Sequence, residues 1–134
     1  MKRNSRLSLA LHTLSHMAAE PSKVRTSAHI ADHAGTNPVV VRRVLGKLRE
    51  AGLLTSEKGH LGGWMLAKTP SNITLADVYF ALDEHLVAPI SSFDNAACAR
   101  EAKMHRDITA ILEDVEDILR RRLSQISIRD IAEV

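Results

Sequence analysis

Cysteine is almost absent from this chain. Cys98 is the only one in 134 residues, which excludes an internal disulfide framework and fits a reducing cytoplasm, the expected location. Aromatic residues make up only 3%, so a core must come from Leu, Ile, Val and Ala, a palette better suited to packed helices than to a β-sandwich. No apolar run approaches the ~18 residues that span a membrane, and no membrane partner is expected. Met1-Lys2-Arg3-Asn4 is basic but leads into an amphipathic segment without a small-residue cleavage site, so no signal peptide is expected. Catalytic signatures are missing too. There is no Gly-rich phosphate loop, nucleophile elbow, His-Glu-x-x-His or convincing carboxylate pair, and an enzyme is not expected.

What is present is enough apolar residue, 45%, for one domain or for a compact head with a helical arm. The net charge of +2 conceals a division. Residues 1–68 carry 11 Lys or Arg against 4 Asp or Glu, whereas residues 69–134 carry 7 against 12. A basic half beside an acidic half suggests one surface for a polyanion and another for something else.

Leu7, Ala10, Leu11, Leu14, Met17 and Ala18 recur at helical spacing and predict a first helix over about 4–19, ended by Pro21. Thr26 or Ser27 can cap a second helix with Ile30, Ala31 and Ala34 inward, and Gly35 supplies the left-handed residue that closes it. Asn37-Pro38 opens a third helix with a capping side chain followed by proline at the first helical position. Val41, Val44, Leu45 and Leu48 form its inward stripe, and Ala51-Gly52 ends it. Leu53–Glu57 and Trp64–Ala67 read as two strands joined by a turn shaped by Gly59, Gly62 and Gly63. Thr74 and Asp77 form a capping box for a fourth helix over about 75–84. After a connector at 85–96, apolar residues from Met104 to Leu123 step by three and four, predicting a long amphipathic helix over 97–123. Ser127 and Asp130 cap a short last helix in a segment that looks like the earlier capping box, one solution used twice.

The expected fold is therefore mainly α with a β-hairpin wing. A winged helix-turn-helix occupies 1–84, a connector 85–96, and a dimerisation helix with the short C-terminal helix 97–134. A helix-turn-helix reads base edges from the first turns of its second helix, lying in the major groove. Thr36, Asn37, Val39 and Val40 occupy those turns, although Asn37 can instead be engaged as the cap. Valine methyls suit a thymine methyl, Arg42 and Arg43 suit guanine or phosphate, and Lys47 suits phosphate. Lys58, Gly59 and His60 would bring the wing close to the backbone or into a minor groove, with Trp64 anchoring its base.

These segments resemble the Rrf-two family of bacterial winged-helix regulators, relatives of the iron–sulfur and nitric-oxide-sensing repressors. The resemblance rests on Ala28-His29-Ile30-Ala31, Asn37-Pro38-Val39-Val40-Val41-Arg42-Arg43-Val44-Leu45, Leu48-Arg49-Glu50-Ala51-Gly52-Leu53, Gly62-Gly63-Trp64-Met65-Leu66-Ala67 and Ile73-Thr74-Leu75-Ala76-Asp77-Val78. It covers nearly the whole chain with the long C-terminal helix. It implies a homodimer whose long helices cross-pack, binding double-stranded DNA with one recognition helix per half-site of a palindromic operator. A repressor is the expected regulator, and a protein-interaction module on a borrowed winged helix is the alternative. Cluster-binding members place three cysteines before the long helix, whereas here only Cys98 stands there, so no iron–sulfur cluster and no other cofactor is expected.

Cys98 has two readings. In the first turn of the long helix, were Asp94 or Asn95 to cap it, the helix dipole would favour a reactive thiolate and an oxidant sensor, with Glu101 opposing. Alternatively, it is a small packed residue. His12 with His16 and His29 with His33 are i, i+4 pairs opposite each apolar stripe. Each pair is only half a metal site, so exposed histidines and no metal are expected, with His29 and His33 able to brush phosphates. Ile108, Ile111, Leu112, Val115, Ile118 and Leu119 make an apolar face too long for the head to cover, and dimerisation is its expected use.

Overall fold

A computed structural model describes residues 5–57, 63–83 and 98–133. Among these residues the elements are α1 (Ser5–Ala19), α2 (Ser27–Ala34), α3 (Pro38–Glu50), β1 (Leu54–Ser56), β2 (Trp64–Leu66), α4 (Leu75–Ala81), α5 (Ala99–Leu123) and α6 (Ile128–Ala132), with a single 3-10 turn at Pro70–Asn72. Strands β1 and β2 pair antiparallel with Leu54 opposite Leu66 and Ser56 opposite Trp64. The mainly helical winged fold expected from periodicity is the fold observed.

The apolar stripes converge on one core. Ala10, Leu14 and Met17 of α1, Ile30 and Ala31 of α2, and Val41, Val44, Leu45 and Leu48 of α3 are buried together with Leu53, Leu54, Ile73, Val78, Leu82 and Ile128. Burying the Leu, Ile, Val and Met side chains among these stabilises by about 1.5–3 kcal/mol each. Helix α4 stops at Ala81, short of the expected residue 84, and Asp83 then turns left-handed at φ 53°.

The two look-alike capping segments lie against each other. Thr74 and Ser127 form an antiparallel bridge, with the Leu75 N–H donating to the Ile126 carbonyl at 2.9 Å and the Ile128 N–H to the Ile73 carbonyl at 2.8 Å. Both boxes are closed reciprocally, Thr74 with Asp77 and Ser127 with Asp130. The two hydrogen bonds from Ser127 hold the Asp130 carboxyl below its ordinary value. This pairing carries α6 onto α1 and sinks Ile128 into the core. The chain accordingly forms two compact units, 1–84 with 123–134, and 85–122. Residues 124–133, assigned from sequence to the arm, belong with the head, because paired backbone and a buried isoleucine hold them there.

Candidate nucleic-acid interface

The turn between α2 and α3 is built from local chemistry. Thr26 caps α2 by accepting the His29 N–H at 3.1 Å, and Gly35 closes it at φ 71°. The Thr36 N–H then donates to the Ala31 carbonyl at 2.9 Å. Asn37 caps α3, its Oδ1 accepting the Val40 N–H at 3.1 Å, with Pro38 in the first turn.

Burial of Val41, Val44, Leu45 and Leu48 fixes which face of α3 points outward. At 100° per residue, Val39, Arg42, Arg43, Gly46 and Lys47 fall together opposite that stripe. Val39 is 56% exposed and both arginines are exposed. Among the described residues none of Arg42, Arg43 and Lys47 has an ion pair or side-chain hydrogen bond. Three of the expected base-edge residues are less free. Val40 sits one turn before Val44, on the flank of the buried stripe, and packs partly against the core. Asn37 spends its acceptor on the cap, and Thr36 is half-buried.

Lys58, Gly59 and His60 lie outside the described residues, but the base of the wing is defined. Arg25 pairs with Trp64, whose N–H donates to the Arg25 carbonyl at 2.8 Å. Trp64 is buried, and its Nε1 donates to Ser27 Oγ at 2.9 Å. A Cβ on Gly63 would stand 2.5 Å from the Arg25 carbonyl oxygen, so only glycine lets the wing strand approach that segment. Arg49 braces the hairpin: its Nη1 donates to Ser56 Oγ at 2.9 Å, and its guanidinium sits 5.7 Å from the Trp64 ring centroid. The Gly-Gly-aromatic motif marks this anchorage in sequence, whereas the part played by Arg25 and Arg49 has no local signal.

Helix α5 begins at Ala99, two residues later than expected, and none of its residues is buried. Cys98, free and half-buried, precedes its first residue and accepts the Ala102 N–H at 3.1 Å through its carbonyl. It therefore holds the capping position, where sequence reading had put it inside the first turn. Asp94 and Asn95 lie outside the described residues. Met104, Ile108, Ile111, Val115 and Ile118 are exposed along one stripe, flanked by half-buried Leu112 and Leu119.

The histidines combine differently from the two half-sites expected. Folding α2 against α1 brings His33 to His12 and His16, and ligand atoms of the three lie within 4.8 Å of one another. His29, by contrast, is not one of this trio, although it lines the same pocket. Desolvation, then His12, His33 and Arg25, hold His16 below the ordinary imidazole value, with Glu20 acting in the opposite sense.

The family model for Rrf2, described as an iron-dependent transcriptional regulator, matches residues 3–134. The chain is 35% identical over 130 residues to a Bacillus subtilis (strain 168) protein named as the HTH-type transcriptional regulator YwnA, over 96% of this chain and 95% of that one. A crystal structure described as that of a DNA-binding protein aligns with a TM-score of 0.75 at 31% identity, over 94% of this chain and 97% of that one. CymR, named the global cysteine regulator of B. subtilis, shares the fold at a TM-score of 0.65 and 22% identity, over 98% and 96%. Iron–sulfur clusters are held by sets of cysteine thiolates, and this chain offers one thiol; its residues do not fit such a cluster.

Proposed function

We propose that this chain, which belongs to the Rrf2 family of DNA-binding transcriptional regulators, acts as a homodimeric repressor with one α3 in each half-site of a palindromic operator. The observation that carries this reading is the outward stripe of α3, which holds Val39, Arg42, Arg43 and Lys47 and whose three cations make no ion pair among the described residues. Val39 meets a thymine methyl, Arg42 and Arg43 meet guanine or phosphate, and Lys47 meets phosphate. Thr36, Asn37 and Val40 frame the entry of the helix rather than supplying most of the base contacts. Lys58, Gly59 and His60 would meet the sugar-phosphate backbone or a minor groove. The family consists of transcriptional regulators rather than enzymes.

The apolar stripe of α5 supports the dimer. From Met104 to Ile118 it runs roughly 21 Å at 1.5 Å per residue, an exposed surface that a second copy would cover. Among the described residues no helix is long and apolar enough to cross a membrane, so lipid does not cover it by spanning.

The test begins with selection of bound fragments from genomic DNA, followed by anisotropy titrations of the selected duplex across salt. Arg43→Ala is expected to cost about 1–3 kcal/mol of operator affinity, while Lys47→Ala lowers the salt slope by about 1. Absence of duplex binding at low salt, with a protein partner co-purifying, would favour the interaction-module reading. Peroxide is expected to weaken operator binding through Cys98. The response should vanish in Cys98→Ser, and unchanged affinity with Cys98 oxidised would remove that role.

A further inference from the structure

We infer that His12, His16 and His33 form a site for one divalent late transition-metal ion, of which zinc is the type, clipping α2 onto α1. His12 and His16 lie one turn apart on α1, and His33 reaches them from the last turn of α2, two residues before the Gly35 turn that launches α3. The ring centroids are 4.6 Å apart for His12–His16 and for His16–His33, and 5.3 Å for His12–His33. His16 Nε2 and His33 Nε2 are 3.2 Å apart. A tetrahedral zinc with Zn–N bonds of about 2.0–2.1 Å puts neighbouring ligand nitrogens about 3.3 Å apart, so this pair already has the spacing of two ligands. One ligand atom from each of the three residues lies within 4.8 Å of the other two, which puts His12 beside the pair.

A hydrogen bond between His16 and His33 satisfies one nitrogen pair and leaves His12 facing both rings. Stacking accounts for ring proximity but not for the convergence of nitrogens. The surroundings also suit a cation that replaces protons. The rings share a pocket of about 220 Å³ with Thr13, Glu20, Arg25 and His29. Glu20 is drawn towards Lys23 at 3.9 Å and Arg25 at 3.6 Å, and no carboxylate bonds the three rings among the described residues. Neutral imidazole nitrogens are the ligands such an ion takes, and the three rings bring one each to this pocket. Thr13, only 3% exposed, lines the same pocket with its Oγ1 unpartnered. That buried hydroxyl is a ready hydrogen-bond partner for a water in the fourth coordination position.

The site is independent of how the chain acts on DNA, and its test is read on the protein alone. Metal-stripped full-length chain is titrated with Co(II), followed by Zn(II) competition, at neutral pH. One Co(II) per chain is expected, with tetrahedral d–d bands, no sulfur-to-cobalt charge transfer, and displacement by Zn(II). The melting temperature should rise by roughly 10 °C at a hundredfold excess of Zn(II) over Kd and return on chelation. His16→Gln and His33→Gln should each weaken binding at least about 100-fold, and His12→Gln likewise, while their metal-free melting temperatures stay near wild type. His105→Gln, on α5, should change affinity less than twofold. Substoichiometric binding, a sulfur band, no melting shift, or equal losses in the His105 variant would overturn the site.

Discussion

Helices α3 and α5 are both amphipathic, yet their apolar faces meet different fates. In thirteen residues α3 buries four side chains and turns its cations outward. In twenty-five, α5 buries none and leaves five large apolar side chains exposed. The first stripe is satisfied within the chain, so its opposite face is free to serve as a reading surface. The second has no such cover among the described residues, so on the proposed reading its apolar face is the one that acts. Amphipathicity identifies a helix; only the whereabouts of the partner surface says which face acts.

Charging the unsatisfied stripe should break this contrast most visibly. Ile111→Glu with Ile118→Glu is expected to convert the dimer to monomer by sedimentation and to weaken operator affinity about a thousandfold, with the far-ultraviolet circular dichroism retained. Dimers that persist would place the interface elsewhere. Gly63→Ala attacks the satisfied half instead. With the Arg25 carbonyl 2.5 Å from the added Cβ, a loss of about 1–3 kcal/mol in chemical denaturation is expected, and a neutral result would mean the wing strand shifts freely. Gly46→Ala sharpens the comparison with the smallest effect. Nothing lies within 4 Å of a Cβ there, so stability should rise by about 0.5–1 kcal/mol. Operator affinity should fall severalfold, because the methyl stands in the centre of the outward stripe. Effects of opposite sign on the two measurements distinguish a reading face from a packed one.

Much of this was legible in the chain itself. Caps at Thr26, Asn37, Thr74 and Ser127 are local chemistry, and all four act as such. The inward stripe of α3 follows from spacing alone. Harder to see were features that depend on which elements meet. Val40 looked outward until the flank of the core reached it, and nothing local announced that Arg49 would reach Ser56 and Trp64. The histidines were visible as pairs, but joining half of one pair to the other needed α1 and α2 side by side. Similarity between the 73–77 and 126–130 segments signalled shared capping, and gave no hint that the two segments bond to each other.

That mutual bonding changes what the rod is. Because the chain departs the winged unit at residue 84 and rejoins it at 123, the long helix is an insertion rather than a tail. Trimming the protein after α5 would not yield a tidy DNA-binding fragment; it would pull Ile128 out of the hydrophobic interior and strand the backbone groups of Ile73 and Leu75. The segment that follows α5 is hydrogen-bonded directly to the start of α4, through the Leu75 N–H and the Ile126 carbonyl.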